Sequence, residues 1–106
     1  RRAWDRTGGQ VPILVTKNGL GSEDDDARIE YVQRALRGLQ ACLAAGIDVR
    51  GYTYWSLLDN FEWAFGYGPK FGIVEVDRTT FARTPKPSAR WLAGVIAANA
   101  LPDISI

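Results

Sequence analysis

Histidine and methionine are absent from this sequence of 106 residues, and cysteine occurs once, as Cys42. The absence of histidine removes the commonest general base of enzymes and the commonest metal ligand. A single cysteine cannot form an internal disulfide, so nothing in the composition points to an oxidising compartment. We therefore expect no metal site and no organic cofactor, and we predict that Cys42 is a small buried hydrophobic residue.

Excess charge and long apolar runs are also missing. The 13 Lys and Arg residues oppose 12 Asp and Glu residues, for a formal net charge of +1. A chain with so little net charge offers no strongly basic surface for nucleic acid or an anionic membrane, so neither partner is expected. Residues 91–101, the most apolar segment, are too few to span a bilayer, and residues 1–6 have no apolar stretch behind their charges as a secretory signal would. We therefore expect a cytoplasmic protein.

Aromatic residues are plentiful, with four each of Trp, Tyr and Phe. Most of them fall in one turn-rich stretch of about twenty residues that also contains Asp59 and Glu62. A protein core uses a few such rings, but a loop with this many beside two acids indicates a binding surface. The clustered residues are Tyr52, Tyr54, Trp55, Phe61, Trp63, Phe65, Tyr67 and Phe71.

The first half of the chain predicts a helix, a strand and a second helix. Residues 1–6 read as the end of a helix that stops at Gly8 and Gly9. The apolar run at residues 11–16 predicts a strand that is buried on both faces. Ser22, with Asp25 three residues later, predicts the capping box of the next helix, which Gly46 ends. The apolar face of that helix comprises Ile29, Val32, Leu36, Leu39 and Leu43.

The second half predicts two more strands and a last helix. A strand is predicted within residues 47–58, a turn-rich loop over 59–70, a third strand at 71–76 and a loop at 79–87. Ser88 is the predicted cap of a final helix with an apolar face, ended by Asn99 and Pro102. That face comprises Trp91, Leu92, Val95 and Ile96.

The alternation of strands and helices predicts an α/β fold with parallel βα units. Only two full units fit into the chain, whereas a closed eight-stranded barrel needs about 250 residues. Residues 1–106 are therefore expected to form a single incomplete domain.

Two segments resemble glycoside hydrolase family 1, the β-glucosidases. The run PILVTKNG at residues 12–19 resembles the end of the seventh barrel strand of the family, where the pattern is T-E-N-G. The run YWSLLDNFEW at residues 54–63 resembles the end of the eighth strand and its loop, and FGIV at 71–74 and RTPK at 83–86 follow in the family order. The resemblance implies the C-terminal part of a (β/α)8 TIM barrel, with strands 7 and 8, and retaining hydrolysis of β-glucosides or related sugars by two carboxylates about 5 Å apart.

The resemblance also implies roles for residues in the second motif. Trp55 matches the indole platform beneath the sugar, and Glu62 matches the carboxylate that accepts hydrogen bonds from sugar hydroxyls. Trp63 is expected beside Glu62 as an indole N–H donor, and Phe71 as a wall of the same pocket. We interpret Asp59 and Asn60 mainly as loop-shaping residues, and we expect Tyr52 and Tyr54 to pack inside the barrel.

Lys17 departs from the family pattern, because it stands where the nucleophilic glutamate is expected. Its neighbours Thr16, Asn18 and Gly19 agree with the pattern, which argues against a shifted alignment. A protonated ammonium has no lone pair for attack, and its charge opposes the positive charge that develops on the sugar. We therefore expect Lys17 to be catalytically inactive.

The second catalytic carboxylate is missing as well, because no N-E-P triplet, the family motif of the general acid, occurs in the sequence. The isolated chain is thus expected to belong to a glycosidase family without being a working enzyme. Three interpretations stay open: a fragment of a β-glucosidase, a non-catalytic β-glucoside-binding module, and a subunit that completes a barrel with another chain. Because a fragment would expose unpaired strand edges, we also expect self-association.

Overall fold

The computed structural model describes residues 1–103 of the chain. Helices and strands alternate along most of it, with one 3-10 turn at Trp63–Phe65. The helices are α1 (Arg2–Arg6), α2 (Asp25–Ala44) and α3 (Pro87–Ala98), and the strands are β1 (Ile13–Val15), β2 (Val49–Tyr52), β3 (Val74–Val76) and β4 (Arg83–Pro85).

Strands β1 and β2 form a parallel pair, with Leu14 opposite Gly51 and Val15 opposite Tyr52. The predicted parallel arrangement is confirmed, although both strands are shorter than predicted. Helix α2 connects the two strands, as expected for a βαβ unit, because parallel strands require a long crossover connection. The carboxyl ends of β1 and β2 therefore lie side by side.

The start of α2 differs from the prediction. Asp24, and not Ser22, is the N-cap, and its side chain accepts hydrogen bonds from the backbone N–H groups of Asp26 and Ala27. Ser22 instead supplies its hydroxyl oxygen to the N–H of Asp24. Because Asp24, Asp25 and Asp26 are consecutive, the sequence is compatible with more than one N-cap residue. The geometry of the preceding loop places Asp24 in this position.

The start of α3 also differs, since Lys86 is the N-cap and Pro87 is the first helical residue. A proline is favoured at this position because its missing N–H would have no helical partner. Ser88 lies inside the helix and bonds to Asp25 on α2. The predicted end at Asn99 is confirmed, with left-handed backbone angles at that residue.

A small antiparallel sheet joins β3 to β4, with Val74 opposite Pro85 and Val76 opposite Arg83. The prediction of a loop throughout residues 79–87 was therefore wrong. The third predicted strand, residues 71–76, is regular only over Val74–Val76. Leu58 bridges to Val74 in parallel fashion and connects this sheet to the segment after β2.

The apolar core of the described chain is small. Among residues 1–103, only Val32, Ile47 and Val76 are buried hydrophobic residues. Leu14 is 60% exposed, so the prediction that the first strand is buried on both faces is wrong for this chain. Cys42 is only half-buried. The radius of gyration, 15.6 Å, exceeds the value of about 13 Å typical of a compact domain of 100 residues.

Candidate functional site

Lys17 and Trp55 lie together beyond the carboxyl ends of β1 and β2. The Lys17 ammonium is 5.2 Å from the centroid of the Trp55 ring, within the range of a cation–π contact. The backbone N–H of Trp55 donates to the Asn18 carbonyl over 2.8 Å, which fixes the two segments in register. Both side chains are exposed, so a ligand has access to the ammonium and to the indole.

Asn18 links the Lys17 segment to two tyrosines. Its side-chain oxygen accepts a hydrogen bond from the Tyr52 hydroxyl over 2.9 Å, and its side-chain nitrogen donates to the Tyr31 hydroxyl over 3.1 Å. Burial raises the pKa of Tyr52 to about 12, with smaller contributions from Tyr54 and Tyr31. Sequence reasoning missed this link, because the tyrosines lie far from Asn18 along the chain and no motif connects them.

Gly19 lies directly against the backbone of Trp55. A Cβ atom at this position would overlap the Trp55 carbonyl oxygen. This close approach explains the requirement for glycine after Asn18 in physical terms, since any side chain would push the two strand ends apart.

The segment after Trp55 is held by buried polar side chains. Asp59 is 6% exposed, and one of its carboxylate oxygens accepts from the Gly72 N–H and from the Lys86 ammonium, over 2.9 and 3.0 Å. Asn60 donates from its amide to the Ser56 hydroxyl and to the Leu58 carbonyl. The loop-shaping roles predicted for Asp59 and Asn60 are thus confirmed by their contacts.

Phe71 is tied to the segment that follows β2 through its backbone. Its carbonyl accepts hydrogen bonds from the Tyr54 hydroxyl, over 2.6 Å, and from the Ser56 N–H, over 3.3 Å. Its half-buried ring packs next to Gly21, where an added Cβ would lie 2.8 Å from the ring edge. Phe71 therefore lies at the boundary between the loop before α2 and the loop after β2.

Glu62 and Trp63 lie at the 3-10 turn of the loop that follows Trp55. Trp63 is 82% exposed, and Glu62 is half-buried at the start of the 3-10 turn. In the part of the chain that the structure describes, no hydrogen bond, ion pair or ring contact joins either side chain to Lys17, Trp55 or Phe71. Of the five predicted residues, the structure thus brings Lys17 and Trp55 into contact. It leaves Glu62 and Trp63 without a contact to them.

Buried Arg28 is the largest polar feature that sequence reasoning missed. Its guanidinium is fully buried and donates to the carbonyls of Ser22 and Lys70, and over 2.6 Å to the Asp25 carboxylate. Asp25 also accepts from the Ser88 hydroxyl and N–H, both over 2.7 Å. Burial alone would raise the pKa of Asp25, but the bonds from Ser88 and Arg28 outweigh it and hold the pKa below its usual value.

The chemical content of the site is an ammonium on an indole face, with a carboxylate and further rings on the adjoining loop. Within residues 1–103, no three acidic or cysteine side chains gather as a metal-binding cluster would require. Over the same residues, no helix is long and apolar enough to cross a membrane. Such a set of groups suits recognition of a polar ligand with an apolar face.

The sequence relatives of the chain include β-glucosidases. It is 44% identical over 99 residues to "Thermostable beta-glucosidase B" from Thermobispora bispora, a match that covers 86% of this chain and 21% of that protein. It is 40% identical over 100 residues to "Bifunctional beta-D-glucosidase/beta-D-fucosidase" from Bifidobacterium breve, covering 82% and 22%. The chain therefore spans about a fifth of the length of the curated relatives it matches.

Solved structures give the same relationship. The crystal structure of the beta-glycosidase BGL167 superposes with a TM-score of 0.89 and 52% identity, over 100% of this chain and 25% of that one. A beta-glucosidase from Thermotoga maritima in complex with deoxynojirimycin superposes with a TM-score of 0.85 and 35% identity, over 95% and 25%. The model of glycosyl hydrolase family 1 matches residues 4–101. With nearly all of its length inside that match, the chain belongs to glycosyl hydrolase family 1.

Proposed function

We propose that this chain forms the sugar-binding side of a β-glucosidase-type site and that Lys17 leaves it unable to hydrolyse the ligand. In this proposal β1 and β2 correspond to strands 7 and 8 of a (β/α)8 barrel. The contact between Lys17 and Trp55 at the carboxyl ends of the two strands carries the proposal, because barrel enzymes bind substrates at that end.

Recognition of a β-glucoside rests on the indole and carboxylate groups. Trp55 is 40% exposed and offers a flat apolar surface to one face of the sugar ring. Glu62 can accept hydrogen bonds from two sugar hydroxyls, since an ionised carboxylate has two acceptor oxygens. Trp63 contributes an indole N–H on the same loop, and Phe71 forms a wall. The complex of the Thermotoga maritima relative with deoxynojirimycin supports a sugar-like ligand.

Failure of hydrolysis follows from charge. A unit-charge pair at about 4 Å is worth roughly 1 to 4 kcal/mol between water and an effective dielectric near 20. Replacing an attractive carboxylate by a repulsive ammonium changes the transition-state energy by about twice that amount, or several powers of ten in rate. The covalent step is lost in addition, and the 106 residues contain no N-E-P motif to supply the general acid.

Titration of the chain with an aryl β-glucoside, followed by NMR, tests the binding half of the proposal. We expect saturable shifts that disappear in the variant Glu62→Ala, because the acceptor for the sugar hydroxyls is removed. The matched control is Glu75→Ala, which removes an exposed carboxylate from β3 and should leave binding unchanged. Binding that survives in Glu62→Ala would contradict the role given to Glu62.

A second candidate function is completion of a barrel with another polypeptide. The β1–β2 sheet contains only two strands, so each strand has one edge without a partner among the described residues. A polypeptide with the remaining barrel strands would pair with both edges. We expect mixing of such a polypeptide with the Lys17→Glu variant to give glucosidase activity, and the unchanged chain to give none. Equal activity with both chains would contradict the role assigned to Lys17.

A further inference from the structure

The ammonium of Lys17 has no anionic partner within the described residues. The ion pairs of residues 1–103 join Arg28 to Asp25, Arg34 to Glu30, Arg50 to Asp48 and Lys86 to Asp59, and none includes Lys17. The ammonium lies beside the Trp55 ring, which attracts a cation without neutralising it. Among residues 1–103, the ammonium of Lys17 is thus a positive charge without an ion pair, next to the exposed ring of Trp55.

The position of this charge relative to a bound sugar follows from the proposed function. If Lys17 stands at the position of the nucleophile, its ammonium faces the C1 end of the sugar that stacks on Trp55. A carboxylate in that place favours positive charge at C1, whereas an ammonium favours negative charge there. The substitution therefore changes which ligand the site prefers, beyond the loss of hydrolysis.

We propose that the site binds sugars that carry an anionic group at C1, with Lys17 as the residue that recognises the anion. This inference rests on the proposed function. Two kinds of ligand carry such an anionic group. In an aldonate C1 is itself a carboxylate carbon, and in a glycosyl phosphate the phosphate is attached to C1. In either ligand Trp55 contacts the carbon skeleton, while the ammonium of Lys17 donates charge-assisted hydrogen bonds to the anion.

Calorimetric titration of the whole chain with gluconate, glucose 1-phosphate and glucose tests the inference. At low ionic strength at least one of the two anionic ligands should bind about tenfold more tightly than glucose, and the preference should fall as salt is added. Whether gluconate or glucose 1-phosphate binds more tightly shows which anionic group, a carboxylate or a phosphate, the site recognises. Inorganic phosphate and acetate are the controls for charge alone, and equally tight binding of either would overturn the inference.

Substitutions at Lys17 separate this inference from the proposed function. Lys17→Gln should reduce the preference for the anionic ligand to less than about twofold, and Lys17→Arg should retain it, because only the second keeps the charge. The matched control Arg34→Gln removes an exposed positive charge from α2 and should change nothing. Glucose binding without any preference for the anions would overturn this inference alone. Failure of glucose and both anionic ligands to bind would overturn the proposed function with it.

Discussion

Tyr52, the last residue of β2, connects the strand to the segment that carries Lys17. Its half-buried hydroxyl donates to the side chain of Asn18, and burial raises its pKa to about 12. Because the raised pKa belongs to the folded state, the contribution of Tyr52 to stability is present below pH 10 and is lost as the pH rises towards 12.

Alkaline titration tests this residue. Tyrosinate absorbance of the folded chain should show a component near pH 12 that is absent in Tyr52→Phe and shifts to about pH 10 in urea. Ionisation of all tyrosines near pH 10 in the folded chain would contradict the burial of this hydroxyl.

Gly19 gives a second prediction at the scale of single residues. Gly19→Ala should lower the free energy of unfolding by about 1 to 3 kcal/mol, because a Cβ would overlap the carbonyl of Trp55. Gly38→Ala is the matched control: it lies in α2 with no atom near the added Cβ, and it should stabilise by about 0.5 to 1 kcal/mol. Urea unfolding of both variants makes the comparison, and equal effects would contradict the close approach.

Single residues differ in how far the sequence predicts them. The resemblance to glycoside hydrolase family 1 predicts that Lys17 and Trp55 share a site. The structure places the Lys17 ammonium 5.2 Å from the centroid of the Trp55 ring. The partners of Asn18 and Arg28 could not be predicted, because Tyr52 and Lys70 reach them only through tertiary packing. The functional roles of all five site residues stay predictions, namely those of Lys17, Trp55, Glu62, Trp63 and Phe71.

At the scale of elements, Arg28 holds the start of α2 to its surroundings. Its ion pair with the half-buried carboxylate of Asp25 also touches α3 through Ser88. Arg28→Met should lower the free energy of unfolding by about 3 to 5 kcal/mol, since removal of one partner leaves Asp25 without its charge partner. Arg34→Met, which breaks an exposed pair on the same helix, should change it by less than about 1 kcal/mol. Urea unfolding measures both, and similar losses would contradict the account.

The same contact predicts a dependence on acid. Because the folded pKa of Asp25 is lowered, its contribution to stability is present above about pH 4 and is lost as the pH falls through the folded value. Asp77 adds a separate contribution, since the N–H groups of Thr80 and Thr79 lower its pKa too. The urea midpoint of unfolding should fall between pH 5 and pH 2, and it should fall less steeply in Asp25→Asn than in the unchanged chain. The variant Asp77→Asn should retain the share of this fall that comes from Asp25.

Helices and strands could be predicted where a periodic pattern of apolar residues extended over many positions. The twenty residues of α2 show a repeated apolar spacing, so the helix was found although its cap was misplaced. Strand β4 was missed because its three residues are all exposed and have no apolar alternation. Such a strand is specified by its partner β3 and by the turn between them, and neither is visible as local periodicity.

At the scale of the whole molecule, several large apolar side chains are exposed to solvent. Leu14, Leu57 and Ile96 are each at least 60% exposed. A cleft of about 380 Å³ also remains between α2, β2 and α3. Since unpaired edges and apolar patches favour association, the burial pattern supports the expectation drawn from the sequence that the isolated chain self-associates.

Sedimentation velocity at micromolar concentration tests the association. The chain should form oligomers, and Leu14→Lys should reduce them, because the substitution places a charge on the exposed face of β1. Glu75→Lys, which changes an exposed residue of β3, is the control and should have little effect. A monodisperse monomer with a cooperative thermal transition would contradict this prediction.

Under the proposed function, the site recognises a sugar without cleaving it. The most direct measurement follows release of the aryl group from an aryl β-glucoside in the presence of saturating chain, together with the intact mass of the protein. We predict release at the rate of buffer alone and an unchanged mass. Release above that rate, with the mass of one sugar added at the Lys17 amine, would contradict the account.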